Sequence, residues 1–191
     1  KEVNENTRPG CAISPGVLGI TGIETGHIIK GIVDNVKPAL VIAVDALASR
    51  NVNRVNSSIQ IANTGIAPGS GVGNRRLALT RESLGVPVIA IGIPTVVDAA
   101  TMVSDTLDLI MDSMMQQAGP GSDFYRMLSR IDRDEKYQMI IDLLEPYSGN
   151  LVVTPKDTDE IVDYLARLVA NGINMALHEN IGPQDVDRFL H

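Results

Sequence analysis

Short apolar runs alternate along this chain with longer stretches of helical spacing. Residues 40–44 and 86–93 are rich in valine and isoleucine, a composition typical of strands buried on both faces of a parallel sheet. Residues 151–153 indicate a shorter strand, and the alternation of residues 57–62 indicates another. Apolar residues three and four positions apart predict helices over residues 23–36, 96–115, 132–145 and 159–177.

This order of elements predicts an α/β domain. Strands that alternate with helices favour three layers, with helices on both sides of a mostly parallel sheet. The 191 residues, 44% of them hydrophobic, suffice for one domain with a substantial core, so we expect residues 1–191 to form a single domain. Because only 3% of the residues are aromatic, that core must consist of Val, Ile, Leu, Ala and Met.

Net charge, cysteine content and the lengths of the apolar runs exclude several classes of protein. The net charge of −7 argues against a nucleic-acid surface, which is normally basic. The single cysteine, Cys11, excludes an internal disulfide framework and fits a reducing compartment; we expect its thiol to be buried or inert. No apolar run approaches the roughly 18 residues of a membrane span. The first ten residues are polar and begin at Lys1, so we expect a processed or trimmed product without a signal peptide.

Asp45 is the most informative position because it follows the first apolar run directly. An acid at the end of a buried parallel strand lies at the carboxyl edge of the sheet, where open α/β folds gather ligands and catalytic groups. Asp45 is also compatible with a structural role as the N-cap of a helix over residues 46–48, which are good helix formers. Its position alone leaves both interpretations open.

The other acids have structural interpretations. Thr95 and Asp98 have the spacing of a capping box at the start of a helix, which favours a structural role for Asp98. Asp105, Asp108 and Asp112 are three and four residues apart, so we expect them to form the solvated face of that helix.

Familiar catalytic and binding motifs are not complete in this sequence. The glycine loop at residues 69–74 has Asn74 where a dinucleotide-binding fingerprint has glycine, and it lacks the Gly-Lys-Ser/Thr of a phosphate loop. We expect Arg75 and Arg76, which follow the loop, to be solvated. The histidines at 27, 178 and 191 lack the spacing of a zinc site. No serine lies in a Gly-x-Ser-x-Gly elbow, so a hydrolase triad is unsupported.

Strings of residues spread over nearly the whole chain share one resemblance. They are PGVLGITGIET at 15–25, VIAVDALASR at 41–50, RVN at 54–56, PGSGVGN at 68–74, GIPTVVDA at 92–99, VTPK at 153–156 and ANG at 170–172. Together they resemble the germination protease of spore-forming bacteria, and they are far more specific than any single motif.

The resemblance implies an endopeptidase that starts the degradation of small acid-soluble spore proteins during germination in the spore core, a cytoplasmic compartment. The family is regarded as atypical aspartic proteases, made as zymogens and assembled as homotetramers, with no cofactor or metal and no nucleic-acid or membrane partner. Asp45 matches one of its two catalytic aspartates. The other belongs to a segment upstream of this chain, so the resemblance implies that the chain is the C-terminal part of the enzyme and is inactive alone.

Two alternatives remain open. The fold implied by the resemblance is similar to that of the hydrogenase-maturation endopeptidases, which are metal-dependent, but their histidine would fall near residues 63–64, where this chain has none. The chain is also compatible with a non-catalytic unit for oligomerisation or docking, with the Met-rich helix over residues 102–115 as an interface. Relatives are expected to carry a longer polar segment near residues 117–123.

Overall fold

The fold was analysed in a computed structural model, which describes residues 7–68, 77–148 and 151–186. Its helices are α1 (Leu18–Thr21), α2 (Thr25–Val36), α3 (Arg81–Leu84), α4 (Ala99–Ala118), α5 (Asp123–Leu128), α6 (Arg133–Ser148) and α7 (Thr158–Leu177). Its strands are β1 (Val41–Ser49), β2 (Gln60–Ala62), β3 (Val88–Asp98) and β4 (Val152–Val153). The chain therefore has an α/β fold, as its sequence predicts.

The four strands form one mixed sheet around β3. Strand β1 pairs with β3 in parallel, whereas β2 and β4 pair with β3 in the antiparallel direction. Only residues 50–59 connect β1 to β2, and a parallel return needs a crossover of about a dozen residues or more, so β2 runs in the opposite direction. The expectation of a mostly parallel sheet is therefore not confirmed.

Both long strands extend beyond their predicted ends. β1 continues through Asp45 to Ser49, and β3 continues through Pro94 to Asp98. Pairing of the two strands holds residues 46–48 extended, although alanine and leucine favour helices, because tertiary pairing outweighs local propensity. Asp45 consequently lies inside a strand, so the predicted helix after it and its role as an N-cap are wrong.

The predicted capping box at Thr95 is also wrong. Asp98 ends β3, where it pairs with Val152, and helix α4 begins at the next residue. Asp98 occupies the N-cap position itself, but its side chain makes no capping hydrogen bond there. The apolar residues between Thr95 and Asp98 form strand, since they continue the ladder between β3 and β1.

Helix α2 packs on one face of the sheet, and α7 lies across an apolar cleft on the other. Val41 and Ala43 lie on one face, where they pack against a core that includes Val33 of α2. Because successive side chains of a strand point to opposite faces, Val44 and Ala46 lie on the other face. There they line a cleft together with apolar residues of α7.

Helix α4 is oriented differently from the prediction. Asp108 forms an ion pair with the buried Lys136, with 2.6 Å between its Oδ1 and the lysine Nζ, and Asp105 accepts a hydrogen bond from the backbone N–H of Val52. The expected solvated acidic face is therefore wrong for Asp105 and Asp108, whereas Asp112 is exposed. Acidic residues face neighbouring elements because those elements supply a cation and a backbone donor.

The opposite side of α4 is apolar and exposed to solvent. Because a helix turns 100° per residue, its exposed large apolar residues form one broad stripe. We call this stripe the α4 face; it consists of Met102, Val103, Leu107, Leu109, Ile110 and Met114. An exposed stripe of this kind is typical of a surface that is covered by a partner.

The structure bears in different ways on the predictions for the glycine loop, for Cys11 and for membrane spans. The glycine loop at 69–74, with Arg75 and Arg76, lies outside the described residues, as does His191. Cys11 is exposed rather than buried. In the described part of the chain, no helix combines the length and the hydropathy that crossing a membrane requires.

Candidate functional site

Asp45 lies in the middle of β1, next to the central strand of the sheet. Its Cα pairs with that of Gly92 on β3, and the residue is partly buried. Its neighbours in sequence, Val44 and Ala46, are both apolar, and both are exposed at the surface of the cleft. The carboxyl group is therefore held on a rigid strand in a largely apolar setting.

The backbone of β1 shows which way the Asp45 carboxylate turns. Val41 donates its N–H to Pro87, so the odd-numbered residues of β1 direct their backbone groups to β3. The even-numbered residues direct theirs to the opposite side, which we call the outer edge of β1. Asp45 Oδ1 accepts a hydrogen bond from the Ala46 N–H at 3.0 Å. Since that N–H points outward, the carboxylate lies at the outer edge.

Leu47 and Gly92 keep the strand beside Asp45 closely packed. A Cβ atom on Gly92 would overlap the Cδ1 atom of Leu47, so the glycine allows the leucine to lie across the sheet at this point. Leu47 lies two residues after Asp45 and hence on the same face of β1. The packing of Leu47 on Gly92 thereby helps to fix the backbone that carries the carboxylate.

An apolar cleft of about 410 Å³ opens between the sheet and α7, and Asp45 is among the residues that line it. The sheet contributes Val44, Ala46 and Ile93, and the helix contributes mainly aliphatic side chains, among them Leu165. Asp45 and Thr95 are the polar residues of this lining. A cleft of this size and polarity suits apolar side chains of a peptide or protein.

The structure does not bring the other predicted acids to Asp45. Asp98 lies six residues beyond Gly92 on β3, which places it roughly 20 Å along the strand from Asp45. Asp105 and Asp108 contact Val52 and Lys136 instead. None of these three acids is therefore the second member of a pair with Asp45.

Metal-binding residue types are dispersed over the parts of the chain that the structure describes. Within residues 7–68, 77–148 and 151–186, no three His, Cys, Asp or Glu residues are grouped so that they could hold a metal ion. His27 Nδ1 lies 3.4 Å from Glu24, and His178 Nδ1 accepts a hydrogen bond from the backbone N–H of Arg8. These histidines make structural contacts.

No sequence pattern marks Asn56 as a functional residue. Its backbone has the left-handed φ of 56°, which asparagine tolerates, and its N–H donates to the carbonyl of Pro94 at 2.7 Å. Its side-chain amide is buried and makes no hydrogen bond with described residues, which costs about 1–3 kcal/mol. Asn56 lies along β3 on the side of β2, away from the outer edge of β1.

The sequence matches known proteins over its whole length. A sequence model described as germination protease matches residues 1–130 and 116–190. The chain is 55% identical over 189 residues to the germination protease of Clostridium perfringens strain SM101, covering 99% of this chain and 58% of the relative. It is 53% identical over 190 residues to that of Clostridium tetani, covering 100% and 59%.

More distant relatives have the same name. The chain is 44% identical to the germination protease of Bacillus subtilis strain 168 over 222 aligned positions, covering all of this chain and 60% of the relative. The chain thus spans about three-fifths of the length of the curated relatives that it matches.

Proposed function

Since this chain belongs to the germination protease family, we propose that it is the C-terminal part of an endopeptidase that starts the degradation of small acid-soluble spore proteins during germination. The observation that carries the proposal is Asp45, a carboxylate held on a rigid apolar strand at the margin of an open apolar cleft. The spore core follows as the place of action.

The proposed mechanism uses a pair of aspartates, of which Asp45 is one. Two carboxyl groups a few ångströms apart do not both ionise, because the two like charges would repel each other in a poorly solvated place. The ionised member removes a proton from water as the water attacks the peptide carbonyl. The protonated member donates a hydrogen bond to the developing oxyanion.

The second aspartate is proposed to come from the part of the full-length protein that lies outside this chain. The acids on β3 and α4 are far from Asp45 or make other contacts, so the described part of the chain offers no support for a partner among them. The cleft beside Asp45 would receive apolar side chains of the substrate, which would hold the scissile bond near the carboxylate.

We expect peptide cleavage only when this chain is joined to the rest of the protein. The test uses a fusion protein, in which the 191-residue chain is joined to the part of the Clostridium perfringens germination protease outside the aligned region. The fusion protein should cleave small acid-soluble spore proteins, as measured by electrophoresis and mass spectrometry. The chain alone should not, because it lacks the second carboxyl group.

Circular dichroism of the chain alone controls for its folding. Cleavage by the folded chain alone at the rate of the fusion protein would contradict the proposal that the chain holds half of an aspartate pair. The same assay after prolonged chelation examines the metal-dependent alternative. In the described part of the chain, no place supplies three ligands, so most ligands of such a metal would come from elsewhere.

We further propose that the chain is a single domain related in fold to the hydrogenase-maturation endopeptidases, with helices on both faces of its sheet. Relative to some family members it would be shortened near residues 117–123. The alignment lengths support a shortening relative to the Bacillus subtilis protein, without giving its position: 222 positions are needed to align the 191 residues with that relative, but only 189 with the Clostridium perfringens relative.

We propose that the enzyme is a homo-oligomer, a tetramer by its resemblance, and that the α4 face is one of its contact surfaces. Leu109, which lies midway along the length of this face, is 71% exposed, and the other five residues of the face are also exposed. Burying such a stripe against a second copy removes apolar surface from water, which stabilises the oligomer. This surface also favours an interface role for the Met-rich helix.

Replacing Leu109 by glutamate should therefore dissociate the oligomer. The new charge would be buried without a partner, so we expect a smaller molecular mass in size-exclusion chromatography with light scattering, while the helix content stays unchanged. Met139→Glu is the matched control, because Met139 is an exposed methionine on α6, outside the α4 face. An oligomer that resists Leu109→Glu would show that the interface lies elsewhere.

A further inference from the structure

We infer that the outer edge of β1 is the docking surface for a β-strand that comes from the part of the full-length protein outside this chain. Docking on this edge is a claim about structure and is independent of catalysis. The further claim that the docked strand brings a carboxyl group to Asp45 rests on the proposed function.

The backbone of β1 directs hydrogen-bonding groups to this edge. The even-numbered residues of β1 face away from β3, so the N–H and C=O groups of Ile42 and Val44 point to the outer edge. Within the described part of the chain, β1 forms strand pairs with β3 alone. A nine-residue strand with one open edge is a strong template for a further strand, because its backbone groups gain partners there.

The side chains of β1 also suit a strand inside a sheet. Residues 41–44 are all apolar, which is typical of strands with neighbours on both edges and cover on both faces. Yet Val44 is 51% exposed in this chain, although it lies at the middle of the strand. Its apolar surface would be removed from water by a neighbouring strand and the side chains that such a strand brings.

A tethered strand of the same protein is the occupant that the observations favour. The matched relatives are longer than this chain by about two-fifths of their length, so their additional residues can supply it. A segment linked in the same chain acts at an effective concentration in the millimolar range, which exceeds that of a second copy or a free substrate peptide. The strand would therefore occupy the edge before either competitor.

The Asp45 carboxylate sets where the docked strand ends. Because Oδ1 already accepts the outward N–H of Ala46, the next pairing position along the edge is occupied. The docked strand would pair with Ile42 and Val44 and stop there. The residue that follows it would lie beside the Asp45 carboxylate, which is how the second carboxyl group of the proposed pair would reach it.

Residue-resolved hydrogen exchange measured by NMR tests the docking. In the chain alone, the amides of Ile42 and Val44 should exchange fast, whereas those of Ala43 and Leu47, which face β3, should be protected. In the fusion protein, Ile42 and Val44 should become protected by roughly 100-fold or more, independent of protein concentration. Fast exchange of both in the fusion protein would overturn the inference.

Two other results would assign the edge to another occupant and also overturn it. Protection in the chain alone that grows with protein concentration would indicate a second copy. Protection in the fusion protein only after a peptide from an acid-soluble spore protein is added would indicate the substrate. Protected amides in a fusion protein that does not cleave would instead contradict the proposed function and leave docking intact.

A proline substitution provides a second test of docking. Val44→Pro removes an outward N–H but leaves the ladder to β3, so an edge strand tolerates it. In the fusion protein it should return Ile42 to fast exchange, while Ala43 and Leu47 stay protected. Val44→Ala is the matched control, since it shortens the side chain and keeps the N–H. Protection of Ile42 that survives Val44→Pro would contradict docking by strand pairing.

Discussion

Replacing Asp45 by asparagine in the fusion protein is expected to abolish cleavage of small acid-soluble spore proteins. Asparagine has nearly the same shape but cannot accept the proton of the attacking water, so general base catalysis is lost. We expect kcat to fall by on the order of 10³-fold or more, with little change in KM, because the substrate contacts are retained. Initial rates of peptide cleavage measure this loss.

Asp98→Asn is the matched control for this substitution. Asp98 is the same residue type on the paired strand, roughly 20 Å along β3 from Asp45, and its side chain makes no capping hydrogen bond. Its variant should cleave at close to the original rate. Thermal unfolding of both variants verifies the fold. Near-normal turnover by Asp45→Asn would remove Asp45 from the catalytic pair.

Replacing Gly65 by alanine is expected to destabilise the chain by about 3 kcal/mol. Gly65 has a φ of +87°, which L-residues rarely adopt. A Cβ there would also overlap the carbonyl oxygen of Leu79 and lie 2.9 Å from the Cα of Thr80. Leu79 belongs to the core and exchanges two backbone hydrogen bonds with Ile66, so the strain spreads into the core.

Gly85→Ala separates the clash from the backbone strain. Gly85 has a similar φ of +78°, but a Cβ there would meet nothing within 4 Å. Its variant should lose only about 1 kcal/mol, the cost of a left-handed residue. Urea unfolding measures both losses: the midpoint urea concentrations of the two variants are compared, provided that the free energy of unfolding has the same dependence on urea in both. Equal losses for the two variants would show that the backbone around Leu79 adapts to a methyl group.

Much of the fold can be predicted from local patterns. The apolar runs at β1 and β3 and the periodic segments at α2, α6 and α7 correspond to elements of the structure, because burial requires apolar residues at the spacing of each element. The ends of β1 and β3 could not be predicted. Residues 46–48 favour a helix by composition, so this segment is extended because it pairs with residues 93–96 of β3.

The candidate site depended on similarity to relatives as well as on pattern. The sequence predicts Asp45 as important from its place after an apolar run, and resemblance to the family gives that residue its catalytic interpretation. The direction of its carboxylate could not be predicted, since it follows from which residues of β1 bond to β3. The buried amide of Asn56 could not be predicted either, because its burial arises only in the folded chain.

Helix α4 shows what the spacing of residues along a helix cannot predict. Acids spaced by three and four residues predict a common face, and they do share one, but spacing does not say what that face meets. Asp105 and Asp108 contact the backbone of Val52 and the side chain of Lys136, and the apolar stripe remains exposed. Whether a stripe belongs to the core or to an interface depends on which element packs against the helix.

The sequence by itself determined the α/β class and the family and singled out Asp45 as the catalytic candidate, because these depend on residue types and their spacing along the chain. Only the tertiary structure decided the mixed direction of the sheet, the extended state of the residues after Asp45, the contacts of Asp105 and Asp108, and an outer edge of β1 that no described strand pairs with. These features depend on pairings between residues far apart in sequence, whose energies exceed local preferences.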